Sequence, residues 1–289
     1  MTVQPDKLEG PAPGFRAVRF NMDWITRPLF GILLAAIAIG VLFSGPGWFA
    51  ALMALIAIPA AREWHRCVGA GAPYTREAAL TAAAVALSEG VLLLSRSFWA
   101  GCAVVVAGAA GSFLLARGNG KHPLWQAFGA FYLGLPALAL VSLRAFEAHG
   151  AQIVVGLFFI VWATDSGALI FGNLIGGPRL APRISPAKTW AGTLGGSALA
   201  ALVYALFVSF LGGTAGIAAL FGFLFSITAH AGDLFESYVK RHFGLKDSGA
   251  MIPGHGGVLD RMDSTLAAGA ALALLVFVFH LNPLFGVQA

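Results

Sequence analysis

The feature that most constrains this chain is a series of nine apolar runs, which together cover most of its 289 residues. A helix needs about 20 apolar residues to cross a bilayer, within a working range of about 17 to 25. The chain is 58% hydrophobic and only 11% charged, whereas soluble domains carry about 25% charged residues. These values predict an all-α, polytopic integral membrane protein with about nine transmembrane helices, over residues 28–44, 46–61, 77–95, 98–116, 123–143, 151–176, 190–212, 214–236 and 262–285.

The distribution of basic residues predicts the orientation of these helices, because cytoplasmic loops carry an excess of Lys and Arg. With a cytoplasmic N-terminus, sixteen of the eighteen Lys and Arg residues face the cytoplasm, and only Arg96 and Arg144 do not. Residues 1–27 are polar and lack the apolar core of a signal peptide, so we expect them to form a cytoplasmic arm. We expect an N-terminal transmembrane region of about five helices over 28–150 and a C-terminal catalytic region of about four helices over 151–289.

Two connections in the C-terminal region are long, polar and rich in Gly and Pro. One joins spans six and seven (GGPRLAPRISPAKT), and the other joins spans eight and nine. Both are cytoplasmic in the predicted orientation. Long loops in a chain whose other connections are short usually have a function.

Several carboxylates lie inside or beside the apolar runs. An Asp at the centre of a spanning helix costs about 2.5–3.5 kcal/mol, so such residues usually face a polar cavity, a partner or a metal. Asp165 and Asp233 are of this kind. For Glu89 we favour the simpler interpretation of a carboxylate near a helix end that reaches water.

The densest group of polar residues surrounds the loop between spans eight and nine. Four of them are spaced to share one helix face, namely Asp233, Glu236, Ser237 and Lys240. Asp260 and Asp263 share a face at the start of span nine, and basic residues and glycines lie between the two groups. Carboxylate oxygens suit Mg²⁺, while glycine backbone and basic side chains suit phosphate. The pattern predicts a metal–polyphosphate site, with ion pairs that merely join spans eight and nine as the alternative.

Other catalytic patterns are absent from the sequence. There is no GxxxxGK[ST] P-loop and no GxSxG serine motif, and neither Cys67 nor Cys102 combines with a histidine into a zinc site. His255 lies inside the polar loop, where contact with phosphate or base and a role in shaping the turn are equally open.

The stretch Ser237–Asp263, SYVKRHFGLKDSGAMIPGHGGVLDRMD, resembles the signature of phosphatidate cytidylyltransferases, also called CDP-diacylglycerol synthases. Upstream, Gly232–Ser237 (GDLFES), Ser185–Trp190 (SPAKTW) and Asp165–Ala168 are similar to further motifs of that family. The resemblance covers roughly residues 160–265 in detail. The sequence departs from the family pattern at two positions, with Ala191 where the family usually has Glu and His230 where Gln is common.

The resemblance implies transfer of CMP from CTP to phosphatidic acid, which gives CDP-diacylglycerol and pyrophosphate. It further implies a metal-assisted direct displacement without a covalent enzyme intermediate, with Mg²⁺ as cofactor and K⁺ as a candidate second ion. The protein is expected in the bacterial inner membrane, with its active site on the cytoplasmic face and a lateral opening for the lipid. A homodimer is also expected, and nucleic acid is not a partner.

The resemblance also assigns roles to individual residues. The metal ligands that it implies are Asp233, Asp260, Asp263 and Asp165. The catalytic residues are Asp233, Asp260, Asp263, Lys240 and Lys246. The substrate-binding residues are Ser185, Lys188, Thr189, Ser237, Arg241, His255, Gly256, Gly257 and Arg261.

Three alternatives remain open from the sequence. A paralogue with a different lipid substrate or without activity would account for Ala191. An ion-coupled transporter could use Asp165, Asp233 and Glu236 as relay groups. A CDP-alcohol phosphotransferase is disfavoured because its signature, which begins DGxxAR, is absent.

Overall fold

The architecture follows the apolar runs of the sequence closely. A computed structural model describes residues 23–69, 75–118, 122–249, 257–279, 281–282, 284 and 286–287. Within them the chain forms nine helices: α1 (Asp23–Ser44), α2 (Pro46–Val68), α3 (Arg76–Ser95), α4 (Phe98–Arg117), α5 (Pro123–Phe146), α6 (Gly150–Leu174), α7 (Trp190–Phe210), α8 (Ala215–His242) and α9 (Leu259–Phe279). Among the described residues, the seven helices α3 to α9 are long and apolar enough to cross a membrane. The all-α membrane class is supported, while nine spans and a cytoplasmic N-terminus stay predictions.

A β-hairpin occupies the connection between α6 and α7, where the sequence analysis expected only a polar loop. Strand β1 (Arg179–Ala181) pairs antiparallel with β2 (Ser185–Thr189). The turn between them is closed by the Ile184 N–H, which donates to the Ala181 carbonyl oxygen at 3.1 Å. Pro182 follows Ala181, at the second turn position that proline favours. The SPAKT segment is therefore an ordered strand that leads directly into α7.

The last helix ends earlier than the sequence predicted. α9 stops at Phe279, whereas the ninth apolar run continues to residue 285. Beyond it, β3 (Leu281–Asn282) pairs antiparallel with β4 (Gly286–Val287). Asn282 precedes a proline in the sequence, and helical geometry is disfavoured for a residue in that position.

Helices α6, α7 and α8 pack side by side, and α8 packs on α9. Small residues permit this close approach, since a Cβ added at Gly167 of α6 would lie 2.8 Å from the Gly196 Cα of α7. Buried hydroxyls join the same three helices. Thr164 donates to Ser226 at 2.7 Å, and Ser226 donates to Ser197 at 3.0 Å. These contacts fix the helices on which Asp165 and Asp233 are placed.

The N-terminal helices form a second group that contacts the first. α2, α3, α4 and α5 pack on one another, and α2 and α5 also contact α9. The polar N-terminal end of α9 is therefore reached by side chains from both halves of the chain.

Candidate active site

The predicted carboxylate faces of α8 and α9 meet around one lysine. The Lys240 ammonium donates to Glu236 Oε2 at 2.7 Å and to Asp260 Oδ1 at 2.6 Å. The other oxygen of Asp260 accepts the Gly257 N–H at 3.0 Å. The two faces that the helical spacing predicted are thus brought together, at the junction of the C-terminal end of α8 and the N-terminal end of α9.

A second lysine joins the hairpin to α8. Lys188 of β2 forms an ion pair with Asp233 Oδ2. The Ser237 hydroxyl, one helical turn further along, donates to Asp233 Oδ1 at 3.5 Å. The SPAKT strand and the GDLFES helix therefore form one site, although Lys188 and Asp233 lie 45 positions apart in the sequence.

Arg241 links the two polar loops in this structure. Its Nε donates to the Ile184 carbonyl in the hairpin turn at 3.3 Å, and its Nη1 donates to the Leu245 carbonyl at 3.1 Å. The side chain is exposed. These two hydrogen bonds give Arg241 a structural role. Its contact with a substrate phosphate stays a prediction.

Two further aspartates lie near Asp233. Asp165 of α6 and Asp263 of α9 are within electrostatic reach of Asp233, of Lys188 and of each other. Asp263 is 5% exposed, whereas Asp165 is exposed although it lies well inside α6. A carboxylate in the body of a spanning helix usually faces the bundle interior or a water-filled cavity.

These aspartates provide the oxygen donors that Mg²⁺ prefers. Within the part of the chain that the structure describes, no group of three or more His, Cys, Asp or Glu side chains has the arrangement of a metal centre. Mg²⁺ commonly takes one or two carboxylates and completes its shell with water and substrate phosphates. The donor set around Asp233 is compatible with that mode of binding.

The remaining predicted basic residues lie at the edge of the cluster. Lys246 is exposed in the segment that follows α8. Arg261 is exposed in the first turn of α9, within electrostatic reach of Asp165. Their contacts with substrate stay predictions.

The predicted substrate-binding hydroxyls and glycines differ in how buried they are and in which backbone groups they contact. Ser185 is half-buried at the start of β2, opposite Ala181 in the hairpin. Thr189 is buried and caps α7, because its hydroxyl accepts the Gly192 N–H at 3.1 Å. Gly257 touches Asp260, as described above, while His255 and Gly256 lie outside the described residues.

Glu63 of α2 also belongs to this cluster, and the sequence analysis missed it. It lies just beyond the predicted span 46–61 and is only 3% exposed. Its Oε2 accepts the Leu259 N–H at 2.7 Å, across 196 positions of sequence. Burial raises the pKa of the Glu63 carboxyl above its ordinary value, against the opposing effect of hydrogen bonds from Leu259 and Val258. In the sequence Glu63 resembles an ordinary loop charge next to Arg62, so no local signal marks it.

Tyr132 of α5 is the second residue that the sequence analysis missed. Its hydroxyl is buried without a hydrogen-bond partner among the described residues. The hydroxyl is within electrostatic reach of Asp263, Glu236 and Asp233. A tyrosine inside an apolar run looks like any other lipid-facing aromatic residue, and only the packing of α5 against α8 and α9 reveals its position.

Glu89 corrects one expectation of the sequence analysis. It does not reach water, because the carboxylate is 1% exposed within α3. Neither of its oxygens has a hydrogen-bond partner among the described residues.

The two departures from the family pattern lie on α7 and α8. His230 Nε2 lies 3.2 Å from the Thr193 carbonyl oxygen, so this ring joins the two helices. Ala191 is half-buried in the first turn of α7, three residues after Lys188.

Comparison with known proteins gives one consistent family. A sequence model described as the cytidylyltransferase family matches residues 25–279. Phosphatidate cytidylyltransferase of Brucella suis is 45% identical over 196 residues, which are 67% of this chain and 68% of that protein. Phosphatidate cytidylyltransferase of Haemophilus influenzae is 32% identical over 268 residues, 82% of this chain and 92% of that protein. This chain therefore belongs to the cytidylyltransferase family, whose members are nucleotidyltransferase enzymes.

Proposed function

We propose that this protein transfers CMP from CTP to phosphatidic acid and releases pyrophosphate. The observation that carries the proposal is a pair of lysines where β2, α8 and α9 meet. Lys188 is held by one carboxylate and Lys240 by two. A reaction between two polyanions requires positioning and charge neutralisation more than it requires a nucleophile from the protein. The names of the relatives, phosphatidate cytidylyltransferases, support CTP and phosphatidate as the substrates.

In the proposed reaction, an oxygen of the lipid phosphate attacks the α-phosphorus of CTP. The bond from that phosphorus to the oxygen bridging to the β-phosphorus breaks, and pyrophosphate leaves with the electron pair. The attacking oxygen is already anionic, so neither a general base nor a covalent enzyme intermediate is needed. Lys188 and Lys240 bind and orient the phosphates, and Arg261 adds positive charge at the rim.

Four aspartates, Asp233, Asp260, Asp263 and Asp165, would hold Mg²⁺ in this proposal. When bound, Mg²⁺ would neutralise phosphate charge and stabilise the leaving pyrophosphate, with K⁺ as a candidate second cation. Asp260 holds Lys240 and Gly257, one through each oxygen, and each oxygen keeps a further lone pair that could bind Mg²⁺. Asp260 would thus serve two purposes, holding the Lys240 ammonium in place and contributing an oxygen to the metal.

The proposed location is the cytoplasmic face of a bacterial inner membrane. The relatives are bacterial, and the basic residues that define the inner side include Lys240 and Arg261 of the site itself. Phosphatidic acid keeps its acyl chains in the bilayer, so its headgroup must enter from the side. We expect that entry beside Asp165, which is exposed on α6.

The test uses the purified protein in detergent with CTP, phosphatidic acid and Mg²⁺, and measures both pyrophosphate and CDP-lipid. We expect turnover with CTP and little with ATP or GTP. Asp233→Asn should abolish turnover because it removes the charge that pairs with Lys188. Glu89→Gln is the matched control, since it replaces a buried carboxyl group away from the site. Absence of turnover, equal use of ATP and GTP, or an active Asp233→Asn variant would each contradict the proposal.

A further inference from the structure

Glu63 has a position that the reaction proposed above does not explain. The carboxylate comes from α2, in the N-terminal half, and is buried against the first turn of α9. Its Oε2 accepts the Leu259 N–H, one of the N-terminal amides of α9 that have no partner within the helix. A carboxylate at a helix N-terminus also interacts favourably with the helix dipole. Glu63 therefore caps α9 from outside, across the interface between the two halves of the chain.

The same carboxylate contacts both ends of the loop that precedes α9. A Cβ added at Gly249 would lie 2.5 Å from Glu63 Oε1, and its three nearest atoms would all belong to Glu63. A Cβ added at Gly257 would lie 2.7 Å from Glu63 Oε2. Only glycine at these two positions lets the backbone approach the carboxylate so closely. Glu63 thus contacts the chain on both sides of residues 250–256.

Neighbouring side chains hold Glu63 itself in place. Trp64 is fully buried, and its Nε1 donates to the Trp125 carbonyl of α5 at 3.0 Å. His65 is also fully buried and forms hydrogen bonds with Gln126 of α5 and, at 2.8 Å, with Thr81 of α3. The end of α2 is therefore fixed by two other helices, so the Glu63 carboxylate has a defined position.

This geometry points to Glu63 as a positioning residue, whose carboxylate fixes the N-terminus of α9 and thereby directs Asp260 at Lys240. Asp260 follows Leu259 directly, so any shift of the Leu259 amide moves the Asp260 backbone with it. Asp260 in turn binds Lys240 at 2.6 Å. The inference rests on the proposed function for its kinetic consequence, but its structural consequence can be measured without turnover.

The first test compares Glu63→Ala with Glu63→Gln, and uses Glu89→Gln as the control for loss of a buried carboxylate. Glu63→Ala removes the acceptor of the Leu259 N–H, and we expect kcat to fall about tenfold or more. The CTP and Mg²⁺ concentrations needed for half-maximal rate should rise as well. Glu63→Gln keeps an oxygen acceptor at the same place and should retain most of the activity. A merely structural role would reduce the amount of folded enzyme and leave both half-saturation values unchanged, which would overturn the inference.

The second test uses Gly249→Ala, whose methyl group must displace the Glu63 carboxylate. We expect this variant to reproduce the defect of Glu63→Ala. The double variant should be no worse than Glu63→Ala alone, because both changes remove the same contact. Gly47→Ala, at a glycine of α2 with nothing within 4 Å, is the matched control. Fully additive defects in the double variant would show that Gly249 and Glu63 act separately, and would overturn the inference.

The third test is hydrogen–deuterium exchange of the whole protein in detergent, followed on peptides that cover residues 257–263. Exchange should be faster in Glu63→Ala than in wild type, and close to wild type in Glu63→Gln and Glu89→Gln. Unchanged exchange in Glu63→Ala would refute the capping role even if the enzyme is active. Conversely, if Glu63→Ala exchanges faster but the wild-type enzyme shows no turnover, Glu63 remains the cap of α9 and the proposed function is refuted instead.

Discussion

Gly232 offers the sharpest test of the packing that forms the site. It lies in α8, directly before Asp233, where α8 contacts α9. A Cβ added there would lie 2.5 Å from Ala267 Cβ and 2.6 Å from the Asp263 carbonyl oxygen. Ordinary van der Waals contact begins at 3.4 Å. Neither neighbouring atom can rotate away, because one is backbone and the other is the Cβ of an alanine.

We therefore expect Gly232→Ala to separate α8 from α9 by about 1 Å. Overpacking of this kind costs about 1–3 kcal/mol of stability, which a helical membrane protein can tolerate. The effect on catalysis should be larger, since Asp233 lies on one of the two helices and Asp263 on the other. A displacement of about 1 Å in the groups that position a substrate can lower the rate about 100-fold.

The assay measures pyrophosphate release at saturating CTP and phosphatidic acid, together with thermal unfolding in detergent. Gly216→Ala is the control because Gly216 lies on the same helix and a Cβ there meets nothing within 4 Å. The control should keep wild-type activity and stability. A Gly232→Ala enzyme with a rate near that of wild type would refute the argument that contact between α8 and α9 sets the geometry of the aspartates.

Two further predictions follow from individual contacts, and a third follows from the distribution of basic residues. Lys240→Met should lower the free energy of unfolding by about 3 kcal/mol, because it leaves two facing carboxylates without their cation. Denaturation in detergent would measure this loss. Lys240→Arg keeps the charge and should lose much less stability. Thr189→Ala should cost about 1 kcal/mol through loss of the α7 cap, whereas Thr189→Ser should cost little, and equal losses in the two variants would contradict the capping role. Reporter fusions after Arg117 should lie on the cytoplasmic side and fusions after Arg144 outside, and the reverse pattern would disprove the predicted orientation.

The parts of this structure that the sequence predicted are those set by local properties. The length of an apolar run determines whether a helix can span a bilayer, and the observed helix bounds lie within a few residues of most of the nine runs. The helical period placed Glu236 and Lys240 on one face, as the 2.7 Å contact between them confirms. Asp260 completes that cluster because α9 begins at residue 259, just beyond the loop that the sequence also marked.

The parts that the sequence did not predict depend on contacts between distant segments. Glu63 and Tyr132 reach the cluster only because α2 and α5 pack against α9, and nothing in the residues around them indicates that packing. Glu89 was misjudged for the same reason, since its burial depends on the helices around α3 and not on its distance from a helix end. A single sequence reports which residues are polar, but it does not report which helix faces which.

The substitution at Ala191 illustrates the same distinction. The sequence shows only that a carboxylate common in the family is missing from the segment after Lys188. The structure shows that Lys188 still pairs with Asp233 and that Thr189 still caps α7, so the strand is held without that carboxylate. Lys240 keeps its partners as well. Each ion pair that the proposed reaction uses is therefore present without a carboxylate at position 191. Turnover with phosphatidic acid, compared with turnover with other lipid phosphates, separates the proposed activity from the two alternatives at Ala191, a different lipid substrate and loss of activity.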